Sequence, residues 1–155
     1  MKRNIPIILT AAVLMFINSI SYSQDHGFGI GIMIGEPTGL SAKYWLNEDN
    51  AVDFGLAYSF VRSNSALSLH ADYLYHTFDL INSNYSMPVY FGYGVRLRLV
   101  HNADNALGAR GVIGVCWMSN KSPFDVFLEI APVFNLFPST SLNLDAAIGA
   151  RYYLN

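Results

Sequence analysis

The sequence predicts an all-β protein, an eight-stranded antiparallel up-and-down transmembrane β-barrel with an N-terminal signal peptide. Three observations predict it: eight segments alternate apolar and polar residues, turn-forming residues separate these segments, and charged residues keep to one face. The clearest segment is 141–155, where the even positions from Leu142 to Leu154 are all apolar and the odd positions include Asp145 and Arg151. Successive side chains of a strand point to opposite faces, so this segment has one apolar face and one polar face.

Residues 1–23 have the layout of a secretory signal peptide. Lys2 and Arg3 precede an apolar stretch at 5–17, and small residues end at Ser23, which places the cleavage site before Gln24. The apolar stretch is shorter than the roughly 20 residues that a membrane-spanning helix needs. The mature protein is therefore expected to be a single domain, residues 24–155, that is exported from the cytoplasm.

The composition favours a membrane barrel over a soluble domain. Only 13% of the residues are charged, against about a quarter or more on the surface of a small soluble domain. Without Lys2 and Arg3, seven basic residues face eleven acidic ones, a net charge of −4. The sequence has no basic patch of the kind that binds nucleic acid. Its single cysteine, Cys116, excludes an internal disulfide framework.

The eight alternating segments have the length and spacing of barrel strands. They cover about 27–35, 39–46, 51–60, 66–76, 88–100, 106–118, 124–136 and 141–155, with turns rich in Asn, Ser, Pro and Gly between them. Strands of about 9–11 residues suit a tilted transmembrane barrel. The longest connection, Thr77–Met87, departs from the short turns expected on the side of the two termini.

Charged residues on the polar faces predict an ionic network in the barrel lumen. Five basic and five acidic residues fall on these faces and none falls on an apolar face: Lys43, Asp53, Asp72, Arg96, Arg98, Arg110, Asp125, Glu129, Asp145 and Arg151. Buried charges are tolerated when they are paired and hydrogen-bonded. The network is therefore expected to be structural.

Hairpin geometry suggests specific pairs within this network. The turn at 47–50 brings Lys43 near Asp53, and the turn at 137–140 sets Asp125 opposite Arg151. The 101–105 loop would set two arginines opposite each other, Arg96 and Arg110, with Arg98 adjacent. These need acids from neighbouring strands, Asp72 and Glu129. The alternative is that the three arginines form an anion site.

Three features favour apolar faces that point to lipid. The polar faces are rich in Gly and Ala, as the narrow interior of an eight-stranded barrel requires. The chain also ends inside its last strand, as substrates of the outer-membrane assembly machinery typically do. Aromatic residues gather near the strand ends on the apolar faces, as in the interfacial girdles of membrane barrels: Tyr44, Tyr58, Phe60, Tyr73, Tyr75, Trp117, Phe124 and Tyr152.

The sequence shows no pattern that predicts catalysis, a metal or a cofactor. Ser68, His70 and Asp72 share one strand face, but neighbours at i and i+2 lie about 6.5–7 Å apart along a strand, so their order has no catalytic geometry. The histidines lack the spacing of metal ligands. Cys116 is expected to fill space in the lumen.

In several motifs the sequence resembles a family of small, functionally uncharacterised outer-membrane β-barrel proteins of Gram-negative bacteria. The motifs are a Gly-Glu-Pro-Thr-Gly-Leu-Ser-Ala-Lys-Tyr-Trp run at 35–45, His-Ala-Asp-Tyr at 70–73, Tyr-x-Gly-x-Gly at 90–94, Asp-Val-Phe-Leu-Glu-Ile-Ala-Pro at 125–132 and Gly-Ala-Arg-Tyr-Tyr at 149–153. Arg110-Gly111-Val112 departs from the family's Arg followed by Val-Pro. The resemblance covers the mature chain and brings no catalytic residues with it.

The expected function is a non-enzymatic structural or interaction protein of the bacterial outer membrane, with a filled lumen and no open pore. Its expected partners are outer-membrane lipid and, during insertion, the assembly machinery. Two alternatives stay open: an outer-membrane lipid-modifying enzyme, and a soluble periplasmic barrel that binds an apolar ligand. The first would need polar catalytic groups on the lipid-facing side, where the apolar faces carry no Ser, His or Asp.

Overall fold

Eight antiparallel strands form a closed β-barrel, which confirms the predicted strand number and topology. The computed structural model describes residues 27–59, 66–81, 84–101 and 103–154; the predicted signal peptide, Phe60 and Arg62 lie outside them. The strands are β1 (Phe28–Glu36), β2 (Thr38–Trp45), β3 (Asn50–Ser59), β4 (Ala66–Thr77), β5 (Val89–Val100), β6 (Ala106–Met118), β7 (Phe124–Phe137) and β8 (Ser141–Leu154).

Each strand pairs with its neighbours in sequence, and β1 pairs with β8 to close the barrel. Because the strands alternate in direction, one end of the barrel holds the start of every odd strand and the end of every even strand. This end, the terminal rim, includes Phe28, Trp45, Met118 and Leu154; the opposite end is the distal rim. No helix among the described residues is long and apolar enough to cross a membrane.

The long connection between β4 and β5 prolongs the sheet. The backbone N–H groups of Met118 and Cys116 donate to the carbonyls of Ser86 and Pro88, each at 2.9 Å. Phe78 packs against the buried side chains inside the barrel. Part of the unexpected length at the terminal rim therefore forms additional pairing along β6.

The barrel turns its apolar side chains outward and its ions inward. Ile32 is 57% exposed and Leu144 63%, whereas Lys43 and Asp125 are fully buried. Ten of the eleven charged residues in the strands occupy inward-facing positions; the exception is Glu36, the last residue of β1, which accepts a hydrogen bond from Ser59. The alternation seen in the sequence thus becomes a barrel wall with the opposite polarity to a soluble domain.

Glycines make room for the large side chains in the narrow interior. A Cβ on Gly114 would lie 2.4 Å from Cζ of Tyr90, and one on Gly149 would lie 2.4 Å from Cζ of Phe127. In the strand register, each large inward side chain of this kind faces a glycine: Tyr90 opposite Gly114, Phe127 opposite Gly149, Arg110 opposite Gly94, Arg96 opposite Gly108 and Arg151 opposite Gly31. The Gly-rich polar faces in the sequence correspond to this packing.

Candidate functional site

Arg151 is the centre of the ionic cluster nearest the terminal rim. Its Nη1 donates to Oδ1 of Asp53 at 2.5 Å, and its Nε donates to Oδ1 of Asp125 at 3.1 Å. The guanidinium also stacks over Phe127, 4.0 Å from the ring centroid, and Tyr153 donates its hydroxyl to Oδ2 of Asp125 at 2.6 Å. A charge that would be costly alone in the interior is therefore held by two carboxylates and an aromatic face.

Arg110, on β6, links an acid on the adjacent strand β7 to an acid two strands away on β4. Its Nε lies 3.2 Å from Oδ2 of Asp72 on β4, and its Nη2 donates to Oε1 of Glu129 on β7 at 2.6 Å. Tyr90 donates its hydroxyl to the other oxygen of Glu129 at 3.1 Å. These are the two acids that the sequence offered for the arginine cluster.

Arg96 forms a separate pair toward the distal rim. Its Nη1 lies 2.7 Å from both carboxylate oxygens of Asp145, and its Nη2 donates to Oδ1 of Asn135 at 3.3 Å. Asn135 in turn donates to Oγ of Ser141. Arg98 is the next inward residue toward the distal rim and is partly exposed.

Lys43 lies opposite Asp53 in the strand register, as predicted, but its ammonium group contacts other residues most closely. Its Nζ is 2.7 Å from Nε2 of His76, which accepts the hydrogen bond, and 4.3 Å from the ring centroid of Trp45. A second ring, Tyr90, lies 5.4 Å away. The amine is thus stabilised by an imidazole and by aromatic faces.

The predicted register is right for two hairpins, that of Lys43 with Asp53 and that of Asp125 with Arg151, and wrong for a third. Asp125 lies opposite Arg151. Arg96, however, lies opposite Gly108, and Arg110 lies opposite Gly94, so the expected alignment of Arg96 with Arg110 is displaced by two residues. The displacement places a glycine opposite each arginine, whereas arginines opposite each other would compete for the same space in the lumen. Since Arg96 and Arg110 are each bound by acids, this arrangement favours structural pairing over an anion site.

His70 lies where the network has its loosest contacts. Its side chain is 1% exposed, and its Nε2 is 3.8 Å from Oδ2 of Asp53 and 4.0 Å from Oδ2 of Asp72. Neither ring nitrogen has a hydrogen-bond partner. Ser68, on the same face of β4, makes no hydrogen bond to this imidazole either. The three residues of the Ser-His-Asp pattern therefore do not form the contacts that activate a nucleophile.

The outward face carries a shallow apolar groove of about 470 Å³ across β1 to β6. Its lining includes Ala42, Phe54, Ala71 and Val95, which lie side by side on four consecutive strands. Two alanines beside larger neighbours leave this part of the wall concave. The surface of the groove is almost wholly apolar: two polar residues, Ser41 and His70, belong to its lining, and both are buried.

Aromatic side chains surround the terminal rim on the outward face. Tyr75 stacks on Phe91 with ring centroids 5.6 Å apart, and Trp117 packs edge-on against Phe124 at 5.5 Å. The outward-facing ring residues within three positions of the strand ends on this rim are Phe28, Tyr44, Tyr75, Phe91, Trp117, Phe124 and Tyr152. The distal rim has fewer, with Tyr58, Phe134 and Phe137 on the described strands.

Comparison with known proteins adds no relative. A scan against protein-family models, a search of curated proteins and a search of solved structures each found no match to this chain.

Proposed function

We propose that this chain is a non-enzymatic structural protein of the bacterial outer membrane, exported by a signal peptide at residues 1–23 and cleaved between Ser23 and Gln24. The barrel sits in lipid through its apolar outer wall, and its partners are outer-membrane lipid and, during insertion, the assembly machinery. The interior ions hold the wall together. The protein forms no open pore.

One observation carries this proposal: the barrel wall is apolar outside and ionic inside. In water, a surface of exposed leucine, isoleucine and phenylalanine on every strand would associate or aggregate, because large exposed apolar patches are rare on soluble monomers. In a bilayer the same apolar surface contacts the acyl chains of the lipids. Closure of the barrel also leaves no unpaired strand edge in the hydrocarbon.

The outward-facing aromatic side chains at the terminal rim support the same placement in a membrane. Tyr and Trp side chains favour the membrane–water interface because one part of the ring system is apolar and another is polar. Tyr44, Tyr75, Trp117 and Tyr152 lie at this rim and face outward. The groove beside Ala42 and Ala71 is suited to a lipid acyl chain, which needs concave apolar surface without specific polar contacts.

The filled lumen supports a structural role over transport. Arg151, Arg110, Tyr90 and Phe127 are all buried inside the barrel, and eight strands enclose only enough space for side chains. The described outward wall shows no hydroxyl, imidazole and carboxylate arranged for lipid chemistry. A plug of paired charges instead resists the collapse of a narrow barrel.

Membrane fractionation with gel electrophoresis of unheated and boiled samples tests this proposal. We expect the protein in the outer-membrane fraction, extracted only by detergent, with faster gel mobility before boiling than after it. The amino terminus of the mature protein should be Gln24 by mass. Recovery in the soluble periplasm without detergent would contradict the membrane placement and favour a soluble barrel instead.

A further inference from the structure

Two carboxylates and one imidazole meet inside the barrel at a point that no arginine fully occupies. Asp53 lies directly opposite Asp72 in the β3–β4 ladder, and His70 is two residues from Asp72 on the same face. One donor atom from each of the three residues lies within 4.8 Å of the others, and all three residues are buried. Like charges directly opposite each other destabilise a sheet unless a cation lies between them.

The nearby arginines contact both acids. Arg151 binds Oδ1 of Asp53, while Oδ2 faces His70. Oδ2 of Asp72 faces His70 as well and also forms an ion pair with Nε of Arg110 at 3.2 Å, whereas Oδ1 lies over Gly94 without a hydrogen-bond partner. Both arginines also bind a second acid, Asp125 and Glu129 respectively, so their charge is shared away from this point.

We propose that Asp53, His70 and Asp72 bind a divalent transition metal ion that serves as a structural link between β3 and β4. The imidazole provides one nitrogen and each aspartate one oxygen, and water completes the coordination shell. One nitrogen with two carboxylate oxygens suits Zn²⁺ and its neighbours in the first transition row. Mg²⁺ and Ca²⁺ prefer sets made of oxygen alone.

The distances between the imidazole and the two carboxylates favour a metal over a direct hydrogen bond. A hydrogen bond from an imidazole nitrogen to a carboxylate spans about 2.7–3.2 Å, and the two contacts of His70 are 3.8 and 4.0 Å. A metal held about 2.0–2.2 Å from each donor separates the donors by roughly 3–4.4 Å, depending on the angle. A proton on the imidazole would not bridge these distances, because both nitrogen–oxygen separations are longer than a hydrogen bond.

The local charge has the right sign for a cation. The carboxylates of Asp53, Asp72, Asp125 and Glu129 face three cations, namely Lys43, Arg110 and Arg151, and all seven groups are buried. Arg96, the neighbour of His70 on β5, is bound by Asp145 and adds no free charge. This part of the lumen thus carries one excess negative charge while His70 is neutral.

Two glycines, Gly55 and Gly94, leave space for the side chains of the site. A Cβ on Gly55 would lie 2.1 Å from Cε1 of His70, and one on Gly94 would lie 2.2 Å from Oδ1 of Asp72. The imidazole and the carboxylate therefore occupy the volume that side chains at these two positions would fill. His70 thereby leans toward β3, the strand of Asp53, whereas Oδ1 of Asp72 leans toward β5.

The test is to refold the full mature barrel from urea into detergent with Zn²⁺ present, because a filled lumen admits metal most readily during folding. After removal of loosely held metal, elemental analysis should find one zinc per folded barrel, and the unfolding midpoint should rise relative to protein refolded with a chelator. His70→Ala should lose both the zinc and the shift. His101→Ala, at an exposed position, should keep both. Mg²⁺ should give no shift.

Wild-type protein that folds and retains no zinc would overturn the proposal and favour a protonated His70 between the two acids. Zinc retained equally by His70→Ala would also overturn it. Where His70→Ala does not fold, the absorption bands of Co²⁺ in the wild-type barrel decide the matter, since a nitrogen–oxygen site gives visible bands and an empty lumen gives none. The gel mobility of boiled and unheated samples is measured on the same preparations. It shows whether the barrel has folded, so loss of metal binding is distinguished from failure to fold.

Discussion

Gly55 lies directly opposite His70, and the imidazole ring covers the Cα atom where a side chain would otherwise stand. The two residues come from different strands and behave as one packing unit. The same relation joins Tyr90 to Gly114 and Phe127 to Gly149. The barrel interior is therefore built from large residues seated on glycines, and a substitution at such a glycine is expected to act on its partner.

Gly55→Val should destabilise the barrel and displace His70. The new side chain would meet the imidazole at 2.1 Å at its Cβ alone, and overpacking of this kind costs about 1–3 kcal/mol. The measurement is the urea midpoint of the barrel in detergent. Gly111→Ala is the matched control, because its Cβ would meet only Pro132, at an ordinary 3.9 Å. Equal midpoints for the two variants would refute this packing.

Arg151→Leu should destabilise the barrel severely. It leaves Asp53 and Asp125 buried and without their shared guanidinium, and breaking a buried ion pair by removing one partner costs about 3–5 kcal/mol. Equilibrium unfolding in urea measures the loss. Lys121→Leu, at an exposed turn, removes the same kind of charge and should change little. A stable Arg151→Leu barrel would show that the cluster is dispensable.

Arg96 and Asp145 should be energetically coupled. Their side chains meet at 2.7 Å in the interior, and residues in direct contact show interaction energies of about 0.5–3 kcal/mol in double-mutant cycles. The cycle uses Arg96→Leu, Asp145→Asn and the double variant, with unfolding free energy as the readout. A cycle of Lys121→Leu with Asp145→Asn, at opposite rims, should be additive. Additivity in the first cycle would argue against the pair.

A charge on the outer wall should be costly in proportion to its depth in the membrane. Ile32 lies at the middle of β1 and Leu154 at the terminal rim, and both face outward. Arginine on the lipid face costs about 2–4 kcal/mol at the bilayer midplane and 0–1 near the interface. Ile32→Arg should therefore impair folding into lipid vesicles while Leu154→Arg is tolerated. A barrel whose wall faces water would accept both.

The strand faces could be predicted because alternation is a local property of the chain. In 141–155 the apolar even positions alone indicate which side of β8 faces outward. The pair Asp125 and Arg151 was predictable because a short turn joins β7 to β8. Arg96 and Arg110 were misaligned because the 101–105 loop is compatible with more than one register, and the choice depends on which alignment gives the guanidiniums space.

The meeting of Asp53, His70 and Asp72 was beyond prediction from spacing. His70 and Asp72 are only two positions apart, but the third ligand comes from β3, and its alignment depends on pairing across the whole β3–β4 ladder. The one sequence signal is the pair of glycines at 55 and 94, which the strand register places opposite His70 and Asp72. Their meaning becomes visible only once the register places each beside a bulky polar side chain.

The polarity of the barrel wall can be measured with the two tryptophans of the chain. Trp45 and Trp117 both lie within the last two residues of strands that end at the terminal rim, but Trp45 is buried beside His76 and Trp117 is on the outward face against Phe124. They therefore sit at similar depth on opposite sides of the wall. Trp45→Phe and Trp117→Phe each leave one fluorophore in otherwise identical protein.

Fluorescence quenching by brominated phospholipids in reconstituted vesicles tests the central claim. The Trp45→Phe protein, which reports from Trp117, should be strongly quenched, and the Trp117→Phe protein, which reports from Trp45, should be quenched weakly. Unheated gel mobility confirms that both variants are folded. Quenching of Trp45 with a protected Trp117, or no quenching of either, would contradict a barrel whose apolar wall faces lipid around an ionic interior.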